Sequence, residues 1–318
     1  YKKYIDPIFK TEDSLDLTFH EELSLLWKLI CFAIPVAITA LSEMAIYDVG
    51  TIIIGIFMLS TDVGYYNAAD PISRIPLIIS LSISTVLLPA ASEAYALGNR
   101  SLLQEYVVDC LRYGILTVVP MCILISVFSC PILIILFGHT YIPSSDVLSI
   151  LVIGMSFYSI YMICSSILQG TGQPKLPMYI LIVGIIMNIT LNVLFVKSIG
   201  IVGAAIATTI ATCILMIVIL YCVIRNTRIS VPWKNILMII ISNIILTIAC
   251  IIIPKTIIGS IIGCVVGCVI YVLSLILLRA LSKRDIDFFT AYLYKIKFIK
   301  PYIEKIVKFI EKHDLIYK

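Results

Sequence analysis

The sequence LQGTGQPKLP, residues 168–177, is a short polar interruption between two long apolar segments. Glycine commonly ends helices, and proline fits the first turn of a helix. Gly170 and Gly172 are therefore predicted to end one helix. Pro174 and Pro177 are predicted to open the next one. We expect an antiparallel helical hairpin whose turn lies at one surface of a largely apolar fold.

The composition around this turn is that of a membrane protein. Of the 318 residues, 61% are hydrophobic and 13% are charged, and the mean hydropathy is +1.09. Soluble domains carry about 25% charged residues, so this chain has too few to cover a soluble surface. A membrane-spanning helix takes about 20 apolar residues, and about eight segments reach that length. They are residues 25–58, 65–97, 107–138, 147–170, 176–196, 199–224, 236–253 and 257–278.

The predicted fold is therefore all-α, a polytopic integral membrane protein with about eight transmembrane helices. Four prolines are expected to kink the long spans, and Pro131 is expected to end the third span and to start a short helix beyond it. The kinking prolines are Pro35, Pro76, Pro89 and Pro120. The expected division is a cytoplasmic linker at 1–23, a six-helix transmembrane lobe at 24–225, two additional transmembrane helices at 226–279, and a basic amphipathic cytoplasmic tail at 280–318.

The basic residues predict how the chain is oriented in the cell membrane. One set of connections holds most of them: Arg100, Lys175, Arg225, Arg228, Lys234 and the tail from Arg279. The other set holds Lys197 and Lys255. Because cytoplasmic loops are enriched in Lys and Arg, we expect both termini in the cytoplasm. The tail is predicted to lie on the anionic inner leaflet; a plain solvated tail is the alternative.

The sequence offers little for metal, cofactor or catalytic chemistry. Nearly all of its ten cysteines fall inside apolar segments, where free cysteine acts as a small hydrophobic residue. The chain contains no P-loop, HExxH or GxSxG motif, and its three histidines fall in predicted loops or ends. A membrane enzyme would lack an obvious general base. We expect no metal, no cofactor, no nucleic-acid partner and no enzymatic activity.

Charged residues inside the predicted spans are the first candidates for a site, because ionisable groups at membrane depth are expensive. Asp70 and Arg74 are four residues apart and share one helix face. They are predicted to bind an anionic substrate group, or alternatively to form a structural pair that holds a bend. Glu43 and Asp48 are the acidic candidates of the first span. Glu43 is either a cation or proton site or the partner of Arg74, and Asp48 is expected to face a water-filled cavity.

Two polar stripes are the second set of candidates. One comprises Tyr158, Tyr161, Ser165 and Gln169 on the fourth span, and the other comprises Asn188 and Asn192 on the fifth. Such stripes either join helices by hydrogen bonds or line a hydrated pathway. Separate rows of small residues are predicted to serve helix packing. These are Gly203, Ala207 and Ala211 on the sixth span and Gly259, Gly263 and Gly267 on the last.

Several segments form a series along the chain. One run is LQGTGQPKLP, then Asn188 and Asn192, then SIGIVGAAIATTIA at 198–211. The others are LFGHTYIPSSDVLSIL at 136–151, residues 63–99 and residues 25–55. Together they resemble the polysaccharide exporters and lipid-linked oligosaccharide flippases (Wzx-type, sporulation protein B-like) of the multidrug/oligosaccharidyl-lipid/polysaccharide exporter superfamily, with residues 63–99 similar to the family's eighth span and residues 25–55 similar to its seventh. The likeness covers only the second half of the family's fourteen spans, so we expect the first six to be missing.

This resemblance implies one six-helix lobe of a two-lobed exporter plus two C-terminal helices. It also implies alternating access for a lipid-linked oligosaccharide, with the glycan and pyrophosphate in a cavity near Arg74. Asp48 and Glu43 become candidates for H⁺ or Na⁺ coupling or for salt-bridge gating. A cation-coupled multidrug exporter of the same superfamily and a non-transporting membrane scaffold are the alternatives.

Overall fold

The computed structural model of the chain describes residues 19–228 and 233–281, which are almost entirely helical. Its α-helices are α1 (Phe19–Phe57), α2 (Ser60–Ser73), α3 (Leu77–Ala96), α4 (Arg100–Val127), α5 (Ser129–Phe137), α6 (Ser144–Gly170), α7 (Lys175–Ile199), α8 (Ile201–Thr227), α9 (Trp233–Ile252) and α10 (Ile257–Leu277), with a 3-10 turn at His139–Tyr141. Within these residues, 8 helices are long and apolar enough to span a membrane. The predicted all-α polytopic fold is confirmed.

Two of the predicted spans are divided in the structure. Residues 65–97 form the end of α2 and all of α3, because Pro76 has no N–H to continue the helical ladder. The backbone there makes tighter bonds, from Ile75 N to Ile72 O and from Leu77 N to Arg74 O. Residues 107–138 divide at Phe128, and Pro131 lies in the first turn of α5. The other prolines expected to cause kinks lie inside α1, α3 and α4.

The turn at 168–177 has the expected local geometry. Helix α6 ends at Gly170 and α7 begins at Lys175, directly after Pro174. Gly172 has a φ of 79°, a conformation that favours glycine. Gln173 N donates to Leu168 O at 2.8 Å. Gly170 ends α6 as predicted and also serves packing, since a Cβ there would lie 2.7 Å from the carbonyl oxygen of Leu88 on α3.

The helices on either side of this turn do not form the expected side-by-side hairpin. Helix α7 packs mainly along α1 and α8, while α6 packs against α2, α3, α4 and α8. Helix α8 can contact both because small residues allow close approach. A Cβ at Gly154 of α6 would meet Thr209 of α8, and one at Gly184 of α7 would meet Leu215 of α8. The pattern of turn residues predicts where helices end, but not which helices pack together.

Helix α6 is the most buried of the membrane-spanning helices, and the main apolar core forms around it. A separate small cluster joins α9 and α10 to α4 through Leu116, Phe128, Leu246 and Tyr271. The Tyr271 hydroxyl donates to Leu116 O at 2.9 Å. The main apolar core is therefore separate from the cluster through which α9 and α10 pack against α4.

The predicted packing glycines have different neighbours. Gly263 lies against the Phe128 ring, and Gly267 lies against Cys250 and Leu246. Gly259 instead faces the Pro254 carbonyl of its own connection, and Gly203 faces the Phe195 carbonyl across the α7–α8 turn, while Ala207 is fully buried. The predicted linker extends into α1, which begins at Phe19. The predictions for residues 1–18 and for the tail beyond residue 281 lie outside the described residues.

Candidate functional site

Arg74 lies at the break between α2 and α3, where it caps the C-terminal end of α2. Its Nε donates to Asp70 Oδ1 at 3.1 Å, and its Nη2 forms an ion pair with Asp70 Oδ2. The predicted pairing of Asp70 with Arg74 is therefore present. Because the helix ends here, the guanidinium also reaches beyond α2 towards the neighbouring helix α1.

Helix α1 supplies three further contacts to Arg74. Nη2 donates to the carbonyl oxygen of Tyr47 at 3.3 Å and to Asp48 Oδ1 at 3.4 Å. The guanidinium carbon lies 4.5 Å from the centroid of the Tyr47 ring, a distance at which a cation and an aromatic ring attract each other. Two acids, one carbonyl and one ring thus orient a single cation.

The two acids differ in their access to solvent or ligand. The Asp70 side chain is 9% exposed and the Asp48 side chain is 62% exposed, while that of Arg74 is 30% exposed. The buried carboxylate therefore fixes the position of Arg74, and the exposed one covers it from outside. An anion that approaches Arg74 would compete with Asp48, not with Asp70.

Glu43 has a different environment from Asp48. It is half-buried on α1, whereas Asp48 is exposed. The carboxylates that pair with Arg74 are those of Asp48 and Asp70, so the alternative that made Glu43 the partner of Arg74 is wrong.

The stripe on α6 lies inside the bundle. Tyr158 stacks on Tyr161 at 5.3 Å and meets Tyr47 edge to face at 5.3 Å. The Tyr161 hydroxyl donates to the Pro177 carbonyl on α7 at 2.9 Å. Gln169 donates to Ser165 at 3.1 Å along the same helix. These contacts join α6 to α1 and α7, as the helix-joining alternative describes.

The stripe on α7 forms a second buried polar cluster. Asn188 donates to the Ile46 carbonyl on α1 at 3.3 Å. Asn192 donates to Asn188 Oδ1 at 2.7 Å, and Thr208 on α8 donates to the same oxygen at 3.4 Å. Both asparagines are fully buried. The two stripes therefore reach α1 at adjacent residues, Ile46 and Tyr47, within one turn of Asp48.

Two members of this arrangement were missed by the sequence analysis. Tyr47 contacts both Arg74 and Tyr158, so it connects the ion pairs of Arg74 to the buried polar stripe on α6. Its position beside Asp48 was the available signal. Thr208 joins the Asn188 cluster from α8, and nothing in its local sequence distinguishes it from the neighbouring threonines. Within residues 19–228 and 233–281, no group of His, Cys, Asp or Glu side chains is arranged to hold a metal ion.

Comparisons with curated proteins find relatives that include proteins named as flippases. It is 31% identical over 159 residues to a probable low-salt glycan biosynthesis flippase of Haloferax volcanii, covering 50% of this chain and 34% of that protein. It is 30% identical over 226 residues to an uncharacterized membrane protein of Methanocaldococcus jannaschii, covering 71% and 51%. It is 30% identical over 150 residues to a probable lipid II flippase MurJ of Rickettsia prowazekii, covering 45% and 30%. The chain thus spans about half or less of each of these relatives.

Solved structures share the fold. The lipid II flippase MurJ in an inward closed conformation aligns with a TM-score of 0.62 at 21% identity, over 79% of this chain and 53% of that one. A transporter of the MOP superfamily from Pyrococcus furiosus aligns with a TM-score of 0.55 at 18% identity, over 88% and 70%. The model of the family described as "Lipid II flippase MurJ" matches residues 6–295. The chain therefore belongs to the lipid II flippase MurJ family of multi-pass membrane proteins.

Proposed function

We propose that the protein carrying this chain moves a lipid-linked oligosaccharide, a precursor of the cell envelope, across the cell membrane by alternating access. Membership of the lipid II flippase family supports this proposal, as do curated relatives named as flippases. The glycan and pyrophosphate would cross in a hydrated cavity while the lipid stays in the bilayer. No covalent bond changes in this reaction, so the protein needs groups that bind and release charge.

The Arg74 cluster is the observation that carries the proposal. A guanidinium can donate two parallel hydrogen bonds to a phosphate, and such charge-assisted bonds are strong. Asp70 holds the guanidinium from the buried side, while Asp48 contacts it at 3.4 Å from the exposed side. A pyrophosphate would displace Asp48 and leave Asp70 in place. Asp48 then acts as a gate that closes over Arg74 when substrate leaves.

Ion coupling and orientation complete the proposal. Coupling to H⁺ or Na⁺ is assigned to the acids on α1, Glu43 and Asp48, since a transport cycle needs a group that binds the ion differently in its two states. Release of Asp48 from Arg74 would change the affinity of the Asp48 carboxylate for a cation. The turn at 168–177 and both chain ends are assigned to the cytoplasmic side, because the basic residues concentrate there.

Replacement of Arg74 tests the substrate site. In cells depleted of their own flippase, Arg74→Ala should lower the rate at which lipid-linked glycan reaches the outer leaflet by about 10- to 100-fold, the effect of losing a charged hydrogen bond. Arg74→Lys should retain part of the rate, since it keeps the charge but not the planar geometry. Arg100→Ala removes an exposed arginine at the first residue of α4 and is the matched control.

Normal transport by both Arg74 variants, at wild-type protein levels, would contradict the assignment of Arg74 to the substrate site.

The same cells distinguish the alternative functions. A cation-coupled multidrug exporter should expel cationic dyes, and Asp48→Asn should abolish that efflux while Arg74→Ala leaves it unchanged. If the protein is a non-transporting scaffold, the wild type should neither move lipid-linked glycan nor expel cationic dyes.

A further inference from the structure

A groove of about 640 Å³ lies between the beginning of α1 and the turn that joins α6 to α7. Its lining includes Lys28, Cys31, Phe32, Gln173, Lys175 and Leu176. Lys28 precedes Asp48 by 20 residues on the same helix, so the groove lies about 30 Å from the Arg74 cluster at about 1.5 Å per residue. It is a separate feature of the molecule and does not belong to the proposed substrate site.

The groove is positively charged on both walls. Lys28 comes from α1 and Lys175 from the first residue of α7, and both side chains are exposed. Within residues 19–228 and 233–281, neither Lys28 nor Lys175 forms an ion pair with a carboxylate. The side chain of Gln173 adds an amide between them. Two cations from different helices that share one groove create a site for an anion.

The groove also has a polar end and an apolar end. Cys31 and Phe32 follow Lys28 by three and four residues, so they lie on the same face about one helical turn further along α1. Leu176 comes directly after Lys175 on α7 and also lines the groove. Trp27, beside Lys28, is 67% exposed, and exposed tryptophans concentrate where a membrane meets water. The lysines are therefore at headgroup level, with the apolar residues directed into the bilayer.

We propose that this groove binds the phosphate of an anionic membrane lipid. The phosphate lies between Lys28 and Lys175, Gln173 donates to a headgroup oxygen, and the first part of an acyl chain packs on Phe32 and Leu176. A free phosphate ion would use the polar end and leave the apolar end empty, which is why a lipid fits better. A lipid held here ties the beginning of α1 to the α6–α7 turn, whichever substrate is transported.

The test uses the intrinsic fluorescence of Trp27. The chain has 2 tryptophans, so Trp233→Phe leaves Trp27 as the reporter in the purified chain in detergent micelles. Phosphatidylglycerol with brominated acyl chains should quench Trp27 at a lower mole fraction than phosphatidylcholine with the same chains. Lys28→Ala with Lys175→Ala should raise the half-quenching mole fraction of phosphatidylglycerol about 25-fold, since each basic residue contributes about fivefold to attraction by anionic lipid.

A double variant at the other end of the bundle is the matched control. Lys197→Ala with Lys255→Ala removes the same charge and should leave quenching by phosphatidylglycerol unchanged. Lys28→Gln with Lys175→Gln removes the charge but keeps side chains longer than alanine, and should weaken quenching by phosphatidylglycerol to the same extent. Circular dichroism reports whether each variant keeps its helix content. Three results would overturn the proposal: equal quenching by the two lipids, an equal loss in the control, or relief of quenching by millimolar inorganic phosphate, which would identify a free-ion site.

Discussion

Arg74 is held by two carboxylates that are chemically alike but unequally exposed. Asp70 is 9% exposed and contacts two guanidinium nitrogens, whereas Asp48 is 62% exposed and contacts one. A buried charge partner is costly to remove, because the remaining charge loses its compensation. An exposed partner contributes little, because water screens the interaction. The two acids should therefore affect stability and transport differently.

Asp70→Asn should lower the free energy of unfolding of the purified chain in detergent by about 1–3 kcal/mol, since it weakens a partly buried charged hydrogen bond. Asp48→Asn should change it by less than about 0.5 kcal/mol. Titration with a denaturing detergent, followed by circular dichroism, measures both. If the two variants lose the same stability, the assignment of Asp70 as anchor and Asp48 as gate is wrong.

Helix α8 lies between α6 and α7 because small residues on both neighbours let it approach closely. At Gly154 of α6, an added Cβ would lie 2.9 Å from Thr209 Cα on α8. Thr209 also donates to the Ile150 carbonyl on α6 at 3.0 Å. Without a hydrophobic driving force between helices in lipid, such close packing and interhelical hydrogen bonds hold a bundle together. Adding a single methyl group at this contact should therefore lower the stability of the bundle.

Gly154→Ala should lower the free energy of unfolding by about 1–3 kcal/mol, because the backbone of α8 must move away. Gly64→Ala on α2 is the matched control: an added Cβ there meets nothing within 4 Å. That substitution should leave stability unchanged or raise it by about 0.5–1 kcal/mol, the usual advantage of alanine over glycine inside a helix. A stable Gly154 variant would show that α6 and α8 are less tightly packed than described.

The membrane-spanning helices impose one topology on the whole molecule. With each span crossing once, the connection before α4 and the α6–α7 turn lie on one side. The 3-10 turn at His139–Tyr141 and the α9–α10 connection lie on the other side. We propose that the first side, which is also the side of the proposed lipid groove, faces the cytoplasm, because Lys and Arg concentrate there.

Single cysteines, introduced after replacement of the ten native ones, test this topology. A membrane-impermeant maleimide should label His139→Cys and Lys255→Cys in intact cells. Arg100→Cys and Lys175→Cys should react only after the membrane is permeabilised. Labelling of one member from each pair in intact cells would contradict the span assignment, and the reverse pattern would contradict the orientation.

Local features of the chain were enough to predict much of this molecule. Apolar length predicts the spans, glycine and proline predict the turn at 168–177, and four-residue spacing on one helix predicts the pairing of Asp70 with Arg74. Each of these depends on residues close together in the sequence. The break between α2 and α3 was harder to predict, because Pro76 is compatible with either a kink or a helix end.

The contacts between helices depend on information that hydropathy does not contain. In α7, the buried Leu181 and Val196 are of the same types as the exposed Val183 and Leu194. Lipid tails are as apolar as leucine, so a membrane helix has no polar outer face to mark its packed side. The burial of the two polar stripes, the position of α8 between α6 and α7, and the contacts of Tyr47 and Asp48 with Arg74 all depend on how the helices pack in three dimensions. Hydrophobicity determines that the chain enters the membrane, and side-chain shape determines how its helices pack there.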